Sequence, residues 1–241
     1  MGTPDDASKL GILFDDPDSM VALAAIKTTC MLSGEALSVD DLKRYLNDND
    51  AESLSAALGL LMQYGEIVGI RIAVDRLEEL RKSNEPADQC AYAASLSRIG
   101  SRTVDDLILM RRDATDIVLT AITEGLGKLR NHRALPCLYE DLQAPRRRIA
   151  AERSLRSMSN VFRTEILDEF AKTHNSIEFR SHLAGVVADI REPETGDSHS
   201  ASRVTRELIK AAKQASVQLR NAAAKGLARR AKKQNNPIPS G

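Results

Sequence analysis

A helix-length pattern of small and apolar residues recurs along the chain about every 30 residues. It is clearest in residues 149–158, where such residues fall at helical spacing at Ile149, Ala150, Ala151, Ser154, Leu155 and Met158. Equivalent positions are separated by 31, 35, 30, 29, 32 and 40 residues. A single helical stripe repeated at this period is typical of a helical repeat array. The equivalent positions are Cys30, Leu61, Leu96, Leu126, Leu155, Val187 and Leu227, each following a small or apolar neighbour.

Turn and capping residues divide the chain into alternating shorter and longer helices. Asp18 precedes one helix start, Ser38 precedes another, and Gly65 and Gly100 follow predicted helix ends. No segment alternates as a strand would. The sequence therefore predicts an all-α fold, an α-solenoid of about six to seven stacked antiparallel helix pairs. The predicted helices cover residues 20–32, 38–46, 51–64, 69–82, 87–99, 103–110, a helix capped by 113–116 and ending near 129, 134–142, 146–159, 161–171, 176–190, 203–215 and 216–232.

The predicted organisation follows from where this pattern breaks. Residues 1–190 form the repeat array, and residues 191–202, with Pro, Gly and several Ser, form a loop or linker. Residues 203–234 form a basic C-terminal helical pair that closes the array, and residues 235–241 form a disordered tail. Within the helix predicted at 69–82, burial is expected for Ile70, Ile72, Val74, Leu77 and Leu80.

Composition narrows the classes of protein. Aromatic residues make up 3% of the chain and Trp is absent, so little is available for stacking on bases or planar cofactors. Residues 1–100 carry 9 Lys+Arg against 17 Asp+Glu, whereas residues 191–241 carry 11 against 4. This asymmetry, an acidic N-terminal part and a basic C-terminal tail, affects which partners the protein attracts and does not determine its fold. The three cysteines are far apart, which predicts buried thiols, and neither a signal peptide nor a membrane span is evident. A cytoplasmic location is therefore expected.

The chain resembles HEAT repeats, particularly the bacterial type first noted in phycobilisome lyases. Over about residues 15–232 it shares with them an Asp-containing turn and an Ala-rich second helix. The resemblance implies the solenoid fold, and the order of units is similar to HEAT segments attached to bacterial transporter-like or cyclic-nucleotide-sensing proteins. The Asp turn is missing before Arg146, and Ser53 and Ile117 replace the usual Arg. The matching stretches are Asp16-Pro17-Asp18, Asp48-Asn49-Asp50, Asp113-Ala114-Thr115-Asp116, Arg148-Ile149-Ala150-Ala151 and Leu219-Arg220-Asn221-Ala222-Ala223.

No constellation in the sequence predicts catalysis. His132, His174, His182 and His199 lack metal-ligand spacing, and paired carboxylates such as Asp105/Asp106 sit near helix starts, where they favour capping. Neither a nucleophile elbow nor a phosphate-binding loop is present. We therefore expect no enzyme activity, no cofactor and no catalytic or metal-ligating residue.

Basic residues provide the candidate binding surface. Clustered arginines at a helix start oppose the helix dipole, which favours an anionic group facing them. The residues predicted to bind an anionic partner are Arg146, Arg147, Arg148, Arg153, Arg220, Arg229 and Arg230, and further cations of the tail are Lys210, Lys213, Lys225, Lys232 and Lys233.

The leading interpretation is a non-enzymatic scaffold or adaptor that binds a partner protein, and its narrower form is a regulatory domain of a larger transporter-like or signalling bacterial protein. Nucleic-acid binding through the basic stripe ranks second, with an anionic membrane surface as a further anionic partner. HEAT-like DNA glycosylases are similar in size, but the low aromatic content argues against that activity. A bilin lyase-type chaperone is a third alternative, which the resemblance alone suggests.

Overall fold

The computed structural model describes residues 7, 9–47, 50–191, 203–214 and 216–235. The regular secondary structure of these residues is helical. Within them the only β feature is an isolated parallel bridge between Leu37 and Gly65. The prediction of an all-α protein is confirmed. The α-helices are α1 (Ser19–Ser33), α2 (Val39–Leu46), α3 (Ala51–Tyr64), α4 (Ile67–Lys82), α5 (Pro86–Ile99), α6 (Val104–Met110), α7 (Asp116–Leu129), α8 (Leu135–Gln143), α9 (Arg148–Met158), α10 (Arg163–Ala171), α11 (Ile177–Val187), α12 (Arg203–Ala212) and α13 (Val217–Asn235).

Several of these helices begin where the sequence predicts, at residues that cap a helix N-terminus or favour its first turn. The Asp18 carboxylate accepts a hydrogen bond from the amide of Met20 at 2.8 Å. Ser38 and Asp41 form a capping box at α2, and Pro86 occupies the first turn of α5. Local hydrogen bonding therefore sets the helix starts.

The chain divides into two compact units, Met1–Gly125 and Leu126–Gly241, with the division inside α7. In the first unit α3 is central, because α1, α2, α4 and α5 all pack against it. Every residue of α3 from Ser53 to Leu61 is buried. A helix covered on all sides needs apolar or small residues around its whole circumference, and the α3 sequence provides them.

In the second unit the longer helices α9, α11 and α13 pack in succession. The shorter helices α8, α10 and α12 pack beside them, and α12 and α13 also pack against each other. The core is aliphatic, with fully buried Leu138, Leu155, Leu183 and Leu208, plus Phe170. The predicted C-terminal pair thus joins the core of this unit. The rest of the predicted linker after Arg191, and the tail from residue 236, lie outside the described residues.

The burial expected for α4 is wrong for three residues. Leu77 and Leu80 are buried, but Ile70, Ile72 and Val74 are exposed. The reason is that α4 packs through a narrow stripe of Gly69, Ala73, Leu77 and Leu80. Gly69 lies so close to α3 that an added Cβ would sit 3.0 Å from Leu61 Cδ2. The small residues bring the two helices together, and the β-branched residues consequently point elsewhere.

Ile149 is a second exception to the predicted burial. It is exposed on α9, whereas the other five small or apolar residues of the 149–158 stripe are buried. The helix begins at Arg148 rather than Arg146, and Ile149 falls in its first turn, beside the packed face.

Asp50 gives the fold a pH-dependent contribution. Its carboxylate accepts hydrogen bonds from the amide and hydroxyl of Ser53 at 2.8 and 2.7 Å, and the hydroxyl contact above all lowers the pKa of Asp50. We expect Asp50→Ala to lower the free energy of unfolding by about 1 kcal/mol at neutral pH. Because the folded-state pKa is lowered, this stabilisation is present above the unfolded-state pKa of about 3.9 and is lost as pH falls further. Urea unfolding at pH 7 and pH 3 should show the difference between the two proteins shrinking, and a difference that grows on acidification would contradict it.

Candidate interaction surfaces

The arginine triplet does not form an open cationic cluster. Arg147 lies in the turn before α9 and donates from Nε to Asp141 Oδ1 at 2.8 Å. The side chain of Asp141 is 0% exposed, so the pair joins a buried carboxylate of α8 to the start of α9. Arg148, the first residue of α9, pairs with Glu178 of α11 at 3.1 Å. Arg146 is exposed, and it too interacts with another group of the protein.

The Arg148–Glu178 pair belongs to a row of charged groups between α9 and α11. His182 lies 3.7 Å from both Glu178 and Glu152 through its two ring nitrogens. Glu152 also lies 3.5 Å from Arg156, which pairs with Asp189 at 3.1 Å. The two arginines of this row each face carboxylates of the same unit, so the row offers little free positive charge to a partner.

Arg229 and Arg230 of α13 point toward the end of α11. Arg229 lies 3.4 Å from both the Gly185 carbonyl and Asp189 Oδ2. Arg230 donates to the carbonyl of Ile190 at 2.7 Å. An arginine that satisfies a helix C-terminus is favoured by the helix dipole. Both residues therefore have a structural use within the second unit.

Two of the seven predicted arginines, Arg153 and Arg220, are exposed without such internal partners among the described residues. Arg220 shares the outer face of α13 with exposed Lys225 and Lys232, which the sequence placed only in the general basic tail. The signal that separates these three from their neighbours is helical spacing. Arg230 falls on the packed side of Leu219, Ala223 and Gly226, and Lys225 and Lys232 fall opposite it. Arg220 and Arg229 fall at its two edges, and of these Arg220 is exposed whereas Arg229 is half-buried.

The first unit carries a different surface. Ile67 is 86% exposed on α4, and Val68, Ile70, Ile72 and Val74 are exposed beside it. Single exposed apolar residues are ordinary, but five within eight residues of one helix make a discontinuous apolar patch, with exposed Arg71 among them, of the kind found at binding surfaces. No sequence motif identified this patch, because Ile70, Ile72 and Val74 were predicted to be buried and Ile67 and Val68 lie before the predicted helix.

A shallow groove of about 470 Å³ lies between α2 and α4, at one edge of this patch. Val39, Leu46 and Ile72 contribute its apolar lining. Its charged lining is mixed, and includes an Arg76–Glu79 ion pair at 2.7 Å. The remaining lining residues are Lys43, Asn47 and Asp75. The groove therefore combines three apolar residues with five polar or charged ones.

Within the described residues, the side chains that could bind a metal or act as nucleophiles do not form a site. No group of three or more His, Cys, Asp or Glu is placed there to hold a metal ion. Burial raises the pKa of Cys30 and of Cys90, which keeps both thiols protonated and poorly nucleophilic. Helices in this part of the chain are also too short or too polar to cross a membrane.

Comparison with known proteins identifies no family for this chain. No family model matches it, and no curated protein matches it. Among solved structures, the crystal structure of an engineered protein is similar over 94% of this chain and 97% of that chain. The identity is 17% and the TM-score is 0.25, so this likeness carries no argument about function.

Proposed function

We propose that the chain is a non-enzymatic protein–protein interaction module built as a solenoid of HEAT-like helix pairs. The partner binds the α2–α4 groove together with the exposed apolar face of α4, defined here as Ile67, Val68, Ile70, Ile72 and Val74. The exposed apolar residues of α4 are the observation that carries this function. Solenoids present one face of successive helices as an extended surface, which suits a partner protein.

The energetic argument rests on the position of these residues. They lie outside the packed stripe of α4, so removing them from water requires another molecule rather than a shift of this helix. Burial of apolar area contributes about 25 cal/mol per Å², and the branched side chains of α4 that face a partner supply the apolar centre that a protein interface needs.

The polar edges of the groove supply orientation. Lys43 is exposed on α2, and Asp75 is exposed across the groove on α4. Charges at an interface rim affect the rate and specificity of association more than its affinity. The partner segment is therefore expected to be apolar along its centre and charged at its flanks.

Serine substitution at Val68 and Ile72 tests this surface. These residues are one helical turn apart and are 61% and 37% exposed, so Val68→Ser/Ile72→Ser should leave the fold intact. Each truncation removes about 1–1.5 kcal/mol of apolar contact with a partner, and the pair therefore loses affinity by about 30- to 150-fold. Affinity capture from nuclease-treated native lysate identifies the partner, and titration with the purified partner measures the loss.

The matched control is Val161→Ser/Ile209→Ser in the second unit. It removes the same two residue types, and these side chains are 57% and 37% exposed. We expect the control to retain the affinity of the unmodified protein. Equal binding by both double variants would exclude the α2–α4 groove as the binding surface. Capture of partners that disappear on nuclease treatment would replace protein binding by nucleic-acid binding as the function.

A further inference from the structure

The outer face of α13 carries cationic side chains that are separated by small ones. Over residues 217–235 the sequence contains six Lys or Arg and no Asp or Glu. Arg220, Lys225 and Lys232 are exposed, and within the described residues none of the three has an ion-pair partner. We propose that this face binds the sugar–phosphate backbone of a nucleic-acid duplex without regard to base sequence.

The packing of α13 determines which cations remain available. Leu219 and Ala223 are fully buried, and an added Cβ at Gly226 would sit 3.1 Å from Ala188 Cβ of α11. Arg229 and Arg230 flank this packed side and bind the end of α11. Among the side chains that the structure describes, the outward side of α13 therefore retains three cations.

Helical geometry places the three cations on both sides of a strip of alanines. At 100° per residue, exposed Ala224 and Ala228 lie along the middle of the outer face. Arg220 falls on one side of the strip, and Lys225 and Lys232 fall on the other. Arg220 and Lys232 are about 18 Å apart along the axis, at 1.5 Å per residue. Methyl side chains between the cations allow a backbone to approach closely, and each cation can then reach a phosphate.

Other anionic partners fit this face less well. A protein interface is dominated by a few large apolar or aromatic anchors, whereas the outer face of α13 has alanines and, among its described residues, one larger apolar side chain, Val217. A membrane-surface helix needs a free apolar side, and here Leu219 and Ala223 are buried in the fold. Aromatic residues are absent from the 217–235 sequence, which favours a duplex over a single strand that binds by base stacking.

This surface lies in the second unit and shares no residue with the α2–α4 groove. Its test is fluorescence anisotropy of the full chain with a labelled 20-base-pair DNA duplex at several salt concentrations. Three neutralised phosphates predict a slope of log affinity against log salt of about −2.7. The same slope predicts about a 40-fold loss of affinity between 50 and 200 mM salt. An RNA duplex should bind with a similar slope, because the contacts are to phosphates.

A charge-matched pair of variants locates the contact. Arg220→Gln/Lys225→Gln/Lys232→Gln should reduce the magnitude of the slope below about 1 and remove measurable binding at 200 mM salt. The control, Lys27→Gln/Arg71→Gln/Arg112→Gln, removes the same charge from exposed positions in the first unit and should bind as the unmodified protein does. Circular dichroism verifies that both triple variants are folded.

Three results would overturn the assignment to α13. The first is equal loss of binding by the two triple variants, since net charge alone would then account for it. The second is tighter binding of a 20-nucleotide single strand than of the duplex. The third is binding of polyglutamate as tightly, per charge, as the duplex, which would make the face an acceptor for acidic protein.

Discussion

Replacing Arg147 by methionine is expected to lower the free energy of unfolding by about 3–4 kcal/mol. Arg147 contributes the guanidinium of a 2.8 Å pair whose carboxylate partner, Asp141, is 0% exposed. Methionine preserves much of the aliphatic stem but leaves the carboxylate without this partner. A buried charge that loses a hydrogen-bonded partner regains little hydration, so its desolvation cost is less fully offset.

The neighbouring arginine provides a matched control for this prediction. Arg148 pairs with Glu178, a side chain that is 62% exposed, so water replaces the lost partner. Arg148→Met should therefore cost at most about 1 kcal/mol. Chemical denaturation of both variants measures the two costs under identical conditions. Equal costs for the adjacent substitutions would show that burial of Asp141 does not determine the stability of this pair.

The two arginines also show how the candidate site departs from its sequence interpretation. Three adjacent cations predict an anionic ligand when only their immediate neighbours are considered. Their carboxylate partners are Asp141, six residues before Arg147, and Glu178, 30 residues after Arg148. A separation of 30 residues is close to the spacing of the recurring sequence pattern, and it places the partner in α11, which is distant in sequence and adjacent in space. Searching for an acidic residue one period away would have indicated that Arg148 is paired.

The helices themselves were predictable because their determinants are local. Asp18 and Ser38 cap the helices that follow them, and Pro86 begins α5. Each effect acts within one turn of the chain. Burial in α4 was less predictable, since it depends on Gly69 and Ala73 allowing close contact with a neighbouring helix. The apolar residues of α4 predicted correctly that this helix packs against the rest of the unit. Its small residues determine which side of the helix does so.

Small residues at close helix contacts recur in both units. An added Cβ at Gly59 would sit 2.8 Å from Arg98 Cβ, and one at Gly226 would sit 3.1 Å from Ala188 Cβ. Glycine in a helix interior costs about 1 kcal/mol relative to alanine, so its use at these contacts requires a compensating gain in packing. Ser154, the small residue before Leu155, lies at such a contact, because an added Cβ at Gly127 would meet it.

Gly127 is the tightest of these contacts, and Gly127→Ala is expected to lower the free energy of unfolding by about 2–3 kcal/mol. The added Cβ would contact the side chain of Ser154 and lie 2.8 Å from its Cα. Because Cα belongs to the backbone of α9, rotation of a side chain cannot relieve the overlap. The helices must separate, and the buried contacts around Leu155 weaken as they do.

The control for this substitution is Gly185→Ala, because each glycine is the third residue from the end of its helix. Near Gly185 the added Cβ would meet only Arg156 Nη2, at 3.3 Å, and that flexible side chain can move. Alanine's higher helix propensity should then stabilise the protein by up to about 1 kcal/mol. Denaturation measures both changes, and amide exchange in α9 should increase in the Gly127 variant alone. If both variants were stabilised, the contact with Ser154 would be looser than its geometry indicates, and glycine at position 127 would serve no packing purpose.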